Sequence, residues 1–192
     1  MNTPANISFN SAQYDYGLLK KTGENVFISA SVEIRRPALV SIGSNSALDT
    51  GLYLTTGAEI GDYVHIAPYA TIIGGAEAML YMDHFSSLAA GARVICGSDE
   101  HLGYGFPGPT IPLKYHDRVT FAPVRLEKFA NVGTNVVIMP GVTLGEGCVV
   151  GACSLVNKDL EPWTIYVGVP ARPVKIRPRE RMLAHAQEMG YL

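Results

Sequence analysis

At 192 residues the chain is long enough for one substantial core and short for two. A formal charge of −2 gives no polyanion-binding surface and argues against nucleic acid as a partner. Hydrophobic residues make up 47% and charged residues only 17%, with no apolar run near the roughly 20 residues of a membrane span. That imbalance predicts surface hidden in an oligomer.

The N-terminal stretch MNTPANISFNSAQYDYG has no basic region followed by an apolar core, so no signal peptide is expected. Residues 1–24 are polar and aromatic and are expected to form a cap. Ile28, Ile34 and Val40, six apart, precede a longer run with the same period of six, Ile42, Leu48, Leu54, Ile60, Ile66 and Ile72. Neither a helix, at 3.6 residues per turn, nor a strand, at 2.0, produces such spacing. Three short flat strands per turn do: each hexad supplies one strand and one corner, and the aliphatic residue stacks on its equivalent three hexads away. Small residues four places after the aliphatics, such as Ser46, Ala58 and Ala70, suit a narrow interior.

Coils are expected over 26–96, with a corner bulge at GGAEAMLYM before Met82, Leu88 and Val94 resume the period. GSDEHLGYGFPGP begins an interrupting loop, 97–118, rich in glycine and proline. Leu126, Val132, Ile138, Leu144, Val150 and Val156 carry the second block of coils to about Leu160, and EPWTIYVGVPARPVKI lays down a last edge, the coils ending by 177. Pro162, Pro170 and Pro173 prevent further pairing there. Residues 178–190 carry helix formers and a closing glycine, consistent with a short helix over the open end of the solenoid. Cys96, Cys148 and Cys153 are odd in number and lack metal-type spacing, as expected of small buried residues in a reducing cytoplasm.

IGDYVHIAPYATI, NVGTNVVIMPGVTLGEGCVVGACSLVNKDL and VGVPARPVKI resemble the hexapeptide-repeat acyltransferases over residues 26–177. PGVTLGEGCVVGACSLVNKDLEPWTIYVGVPARPVK is similar in particular to the sugar O-acetyltransferases, galactoside and maltose acetyltransferases among them. The resemblance implies an all-β fold, a left-handed parallel β-helix with an extended loop and a short C-terminal helix, in a single domain. It also implies a homotrimer with acetyl-CoA and acceptor meeting in clefts between subunits, and a histidine base acting without a covalent acyl-enzyme.

Acyl transfer needs a base, donors for the oxyanion and aligned substrates. Of the five histidines, His185 falls in the terminal helix and is expected to be solvated. His65, just before the inward Ile66, is placed on a corner pointing outward. His101 lies two residues beyond the place, near Asp99, where the resemblance puts a catalytic histidine. His65, His101 and Asp99 are therefore the candidate catalytic residues, with His65 of one chain and Asp99–His101 of another framing one cleft. His84, Glu100, Tyr104 and His116 are candidates for the acceptor, although His84 suits a corner hydrogen bond and Tyr104 suits loop anchoring. For coenzyme A the resemblance points to the corners of the later coils, with Gly133, Gly151 and Ala152 allowing close approach and Lys158, Arg172 and Lys175 facing the phosphates. No metal is expected. The acceptor class is a saccharide hydroxyl or a sugar nucleotide, in surface polysaccharide biosynthesis, with the amine of a nucleotide-linked amino sugar as the alternative. Two further readings remain. His65 and His101 have the spacing of two zinc ligands of carbonic anhydrases of this fold, but Phe106 stands where a third would fall. A non-enzymatic scaffold would explain the repeat but not the acidic–histidine loop.

Overall fold

The six-residue period becomes three short strands per turn of a solenoid. The computed structural model describes residues 14–192, so most of the expected cap lies outside the described residues. Three parallel ladders form the faces of a prism. The first joins Lys21–Thr22, Val40–Ile42, Gly57–Ile60, Met79–Met82, Val124–Leu126 and Thr143–Leu144. The second runs Phe27–Ile28, Ala47–Leu48, His65–Ile66, Ser87–Leu88, Asn131–Val132, Val149–Val150 and Thr164–Val167. Glu33–Ile34, Tyr53–Leu54, Thr71–Ile73, Arg93–Ile95, Val137–Ile138 and Leu155–Val156 make the third.

Register follows the hydrophobic beat. Ile28, Leu48, Ile66, Leu88, Val132 and Val150 stack in one column on the second face, each at most 2% exposed. Burying each such side chain contributes roughly 1.5–3 kcal/mol. Corner positions use the left-handed backbone: Asn45, Tyr63, Phe85 and Phe129 have φ of 57°, 57°, 61° and 63°. At Tyr63, Phe85 and Phe129 that strain is offset by a stack, since Phe85 lies parallel to Tyr63 at 5.0 Å and to Phe129 at 5.3 Å. Gly147 takes the next turn of this corner, where a Cβ would stand 2.5 Å from the Trp163 ring. Trp163 thus fills this corner and is 6% exposed.

Three expectations change. Val40 is buried but pairs with Ala58, not with the Ile60 row that Ile42 joins. The 3-10 turn Pro37–Leu39 has absorbed extra residues. The first coil begins at Lys21–Thr22, inside the stretch assigned to a cap. The helix, Glu180–Glu188, does not cover the open end. It packs Ala186, Met182 and Leu183 beside Phe85, Phe129 and Trp163 along the aromatic corner. Arg172–Ile176 turns back antiparallel on Thr164–Val167 and extends the second face by one exposed strand. Arg177 donates to the carbonyls of Phe129 and Gly147 and to Asn131 Oδ1, tying that strand to the corner.

Burial pushes the Cys96 thiol up to about 11 and the Cys148 thiol to about 12, while Cys153 is exposed. Only Cys153 is expected to react with a thiol reagent in the native protein, the other two appearing on unfolding. Because the unfolded chain ionises both buried thiols near the ordinary value of 9.0, their contribution is fully present below that pH. Stability measured by denaturant unfolding is expected to fall from about pH 9 upward, toward the native values.

Candidate active site

All the interruptions of the period fall on the corner where the third face hands over to the first. They are the Pro37–Leu39 turn, the bulge between Ile73 and Met79, and the long arm between Ile95 and Val124. Placed after the first, third and fourth coils, they enclose a cleft of about 770 Å³. Its floor is Gly74, Gly75 and Gly97; a Cβ on Gly97 would lie 3.0 Å from the Gly74 backbone and 2.8 Å from Phe121. One end carries Arg35, Arg36 and Tyr53, the other Asp99 and His116.

The arm leaves as an antiparallel ribbon, Gly97–Asp99 against Val119–Phe121, so Asp99 stands outside the coil rather than at a hexad corner. Farther out, Phe106 N–H donates to the Tyr115 carbonyl and Asp117 N–H to that of Phe106. This folding returns His116 to Asp99, with Nε2 3.6 Å from Asp99 Oδ1. The side chains are 15% and 21% exposed. His116 Nδ1 donates to the Asp117 carbonyl at 2.7 Å, leaving Nε2 directed at the carboxylate. Asp99 Oδ2 accepts from Gly108 N–H at 3.2 Å, but Oδ1 is buried with no hydrogen-bond partner. A carboxylate beside an imidazole nitrogen on the lining of a cleft suits a ligand N–H or O–H that must lose a proton.

The bacterial transferase hexapeptide family (six repeats) matches residues 123–158, and the hexapeptide repeat of succinyl-transferase matches 22–56. The N-acyltransferase AntD from Bacillus cereus, solved with dTDP and 3-hydroxybutyryl-CoA, is 34% identical with a TM-score of 0.87, covering 94% of this chain and 97% of that one. The chain belongs to the hexapeptide-repeat acyltransferases. The dTDP-4-amino-4,6-dideoxy-D-glucose acyltransferase of Escherichia coli is 29% identical to this acyltransferase over 164 residues, 84% of each chain. A hexapeptide-repeat acetyltransferase of Vibrio cholerae, at 22% identity and a TM-score of 0.57, shares the fold.

Within one acyltransferase subunit the expected catalytic set is divided. His65 is not on a corner but on the outer surface of the second face, in register with Ala47 and Ser87, its Nε2 2.8 Å from Asp49 Oδ2. His101 is exposed, at φ 54°, and does not line the cleft. The two histidines considered as zinc ligands do not converge, and the described residues contain no His, Cys, Asp and Glu group that could hold a metal ion. Glu100 accepts from Thr120 Oγ1 at 3.2 Å on the ribbon's exposed side. Tyr104 lies 5.1 Å from the Arg118 guanidinium, an anchoring contact. No described helix is long and apolar enough to cross a membrane.

The candidate coenzyme residues are also dispersed. Gly133 and Gly151 sit where coils nearly touch, a Gly133 Cβ falling 2.7 Å from Ala152 N and a Gly151 Cβ 2.7 Å from Val167. Ala152 is exposed beside them. Arg172 and Lys175 lie on the exposed edge strand, whereas Lys158 follows Leu155–Val156 on the corner of the cleft. Sequence reasoning missed Arg35, Arg36 and Tyr53; the signal available was the surplus of residues between Ile34 and Ile42.

His84 is a corner fastener. Its Nδ1 accepts from Asp62 N–H at 2.8 Å, and its ring meets Tyr191 edge-on at 4.9 Å. Tyr191 in turn donates to Asp62 Oδ2 at 2.7 Å; burial first, then that bond, push its phenol up to about 12. His84→Ala is expected to cost about 1–3 kcal/mol in denaturant unfolding by stranding the Asp62 amide, with acyl transfer at saturating substrate little changed.

Proposed function

We propose that this acyltransferase moves an acyl group from its coenzyme A thioester to the amine of a nucleotide-linked amino sugar. The observation that carries the assignment is the Asp99–His116 pair, its Oδ1 and Nε2 3.6 Å apart, on the lining of the cleft. An amino sugar reaches neutral solution as an ammonium and must shed a proton before it can attack. Asp99 attracts and orients the cation, and His116 Nε2 takes the proton. The amine nitrogen then bonds to the thioester carbonyl carbon, the C–S bond breaks, and the proton that the nitrogen loses passes to the departing thiolate.

The amine is chosen over the sugar hydroxyl favoured from sequence because AntD is an N-acyltransferase, a variant of which was solved with dTDP-4-amino-4,6-dideoxyglucose and coenzyme A. The same similarity widens the donor from acetyl-CoA to acyl-CoA. His116 replaces His101 as the base. The coenzyme is assigned to the corner of Gly133, Gly151 and Ala152, with Arg172 and Lys175 toward its phosphates and Lys158 left out. The subunit is taken as a single domain that assembles as a trimer, because the arm presents Leu113 at 91%, Tyr104 at 70% and Phe106 at 65% exposure, more apolar surface than one segment ordinarily leaves in water. Sedimentation equilibrium is expected to give about three times the 20.6 kDa chain mass.

Thiol release from acetyl-CoA and 3-hydroxybutyryl-CoA is the direct assay, with a dTDP-linked 4-amino sugar compared against its 4-hydroxy counterpart. Turnover is expected with the amine and at least about a hundredfold less with the hydroxyl; the reverse order would overturn the assignment. Asp99→Asn and His116→Gln are each expected to lower kcat about a hundredfold or more, while His101→Ala stays within about twofold.

A further inference from the structure

We infer that Arg35 and Arg36 form the subsite that grips the diphosphate of the acceptor, so that one corner of one subunit reads the sugar nucleotide from phosphate to amine. This rests on the nucleotide-sugar assignment above. Both arginines line the same cleft as Asp99 and His116, at its opposite end. Arg35 and Arg36 lead out of the first coil, and Gly97–Asp99 out of the fourth. Three coil steps at about 4.8 Å each separate their backbones by roughly 14 Å. The side chains lean one coil along the cleft, Arg35 to Tyr53 Oη and Arg36 to the Thr55 carbonyl, which shortens that gap to about 10 Å, the reach of a pyranose ring with its anomeric oxygen and first phosphate. An amine held at Asp99 therefore puts the diphosphate at the arginines.

Both guanidinium groups are held by the scaffold and keep donors free. Arg35 Nη1 donates to Tyr53 Oη at 3.1 Å, and Arg36 Nη1 to the Thr55 carbonyl. Each guanidinium has five N–H donors, so each retains a fork for phosphate oxygens. The acids nearby are Glu33, 3.6 Å from Arg35 on an exposed side, and Glu77 on the cleft lining. The Glu33 contact is solvent-exposed, worth little and readily exchanged for a doubly charged ligand. Between the ends the lining includes the backbone of Gly74, Gly75 and Gly97, which a sugar ring can approach closely. Coenzyme A also carries a diphosphate, but the whole pantetheine arm separates it from the thioester, much farther than this cleft runs.

Calorimetric titration of the full chain with dTDP alone and, separately, with coenzyme A alone tests the inference. Arg35→Ala and Arg36→Ala are each expected to weaken dTDP binding about tenfold or more and to leave coenzyme A binding unchanged. Inorganic pyrophosphate is expected to compete with dTDP in the wild type and to lose that competition in Arg35→Ala. Arg36→Lys, which keeps charge and a donor to Thr55, guards against a folding defect and is expected to bind dTDP with intermediate affinity. Wild-type binding of dTDP that neither arginine variant weakens overturns this subsite and leaves the nucleotide-sugar assignment standing. Loss of coenzyme A binding in place of dTDP binding overturns it by giving the arginines to the coenzyme. A wild type that binds no dTDP but acylates a free amino sugar overturns both.

Discussion

The constraint on which everything else depends is the parallel ladder, which allows each coil about 4.8 Å before the next must lie on top of it. Ile28, Leu48, Ile66 and their successors can stack only if every turn returns in register. An added residue shifts the inward side chains off their column, so it must leave the ladder at a corner. Two corners are already committed. One is filled by the Tyr63–Phe85–Phe129–Trp163 stack and covered by the C-terminal helix. The other turns tightly through Gly51, Tyr69, Gly91, Asn135 and Cys153, all at positive φ. Insertions therefore collect on the third corner, and the cleft is what they enclose.

This separates stability from chemistry. The faces contribute apolar burial and a continuous hydrogen-bond ladder, and the aromatic corner ties coils together across long sequence separations, as where Tyr191 donates to Asp62. The third corner contributes little to that framework. Its arm leaves large apolar residues in solvent, and its inner end keeps a buried carboxylate oxygen unfilled. A rigid prism can carry such unfavourable features because the ladder on either side holds the arm's two ends, at Ile95 and Val124, in adjacent coils.

The histidines illustrate how far the sequence could be read. Apart from His185, each has a chemical role to offer when judged by its neighbours in the chain, and the resemblance to sugar acetyltransferases pointed to the segment of Asp99, which lines the cleft. His101, two residues away, turned out to be exposed, whereas His116, on the arm's return, lies across from the carboxylate. His84 stands in an acidic setting, yet its Nδ1 is occupied by a backbone amide. A ribbon brings together residues that are symmetrical about its tip, not adjacent ones, and so it is His116 that stands beside Asp99 within the subunit.

The sequence by itself determined the solenoid, its inward columns, the place of the arm and the family, because a six-residue repeat is a local rule that each coil obeys independently. Only the tertiary structure decided which residues meet. Arg35, Arg36, Gly74, Gly97, Asp99 and His116 come from separate coils and an arm, and no periodicity relates them. They share a cleft because surplus residues in a ladder have one corner left to occupy, and stacking puts those surpluses side by side.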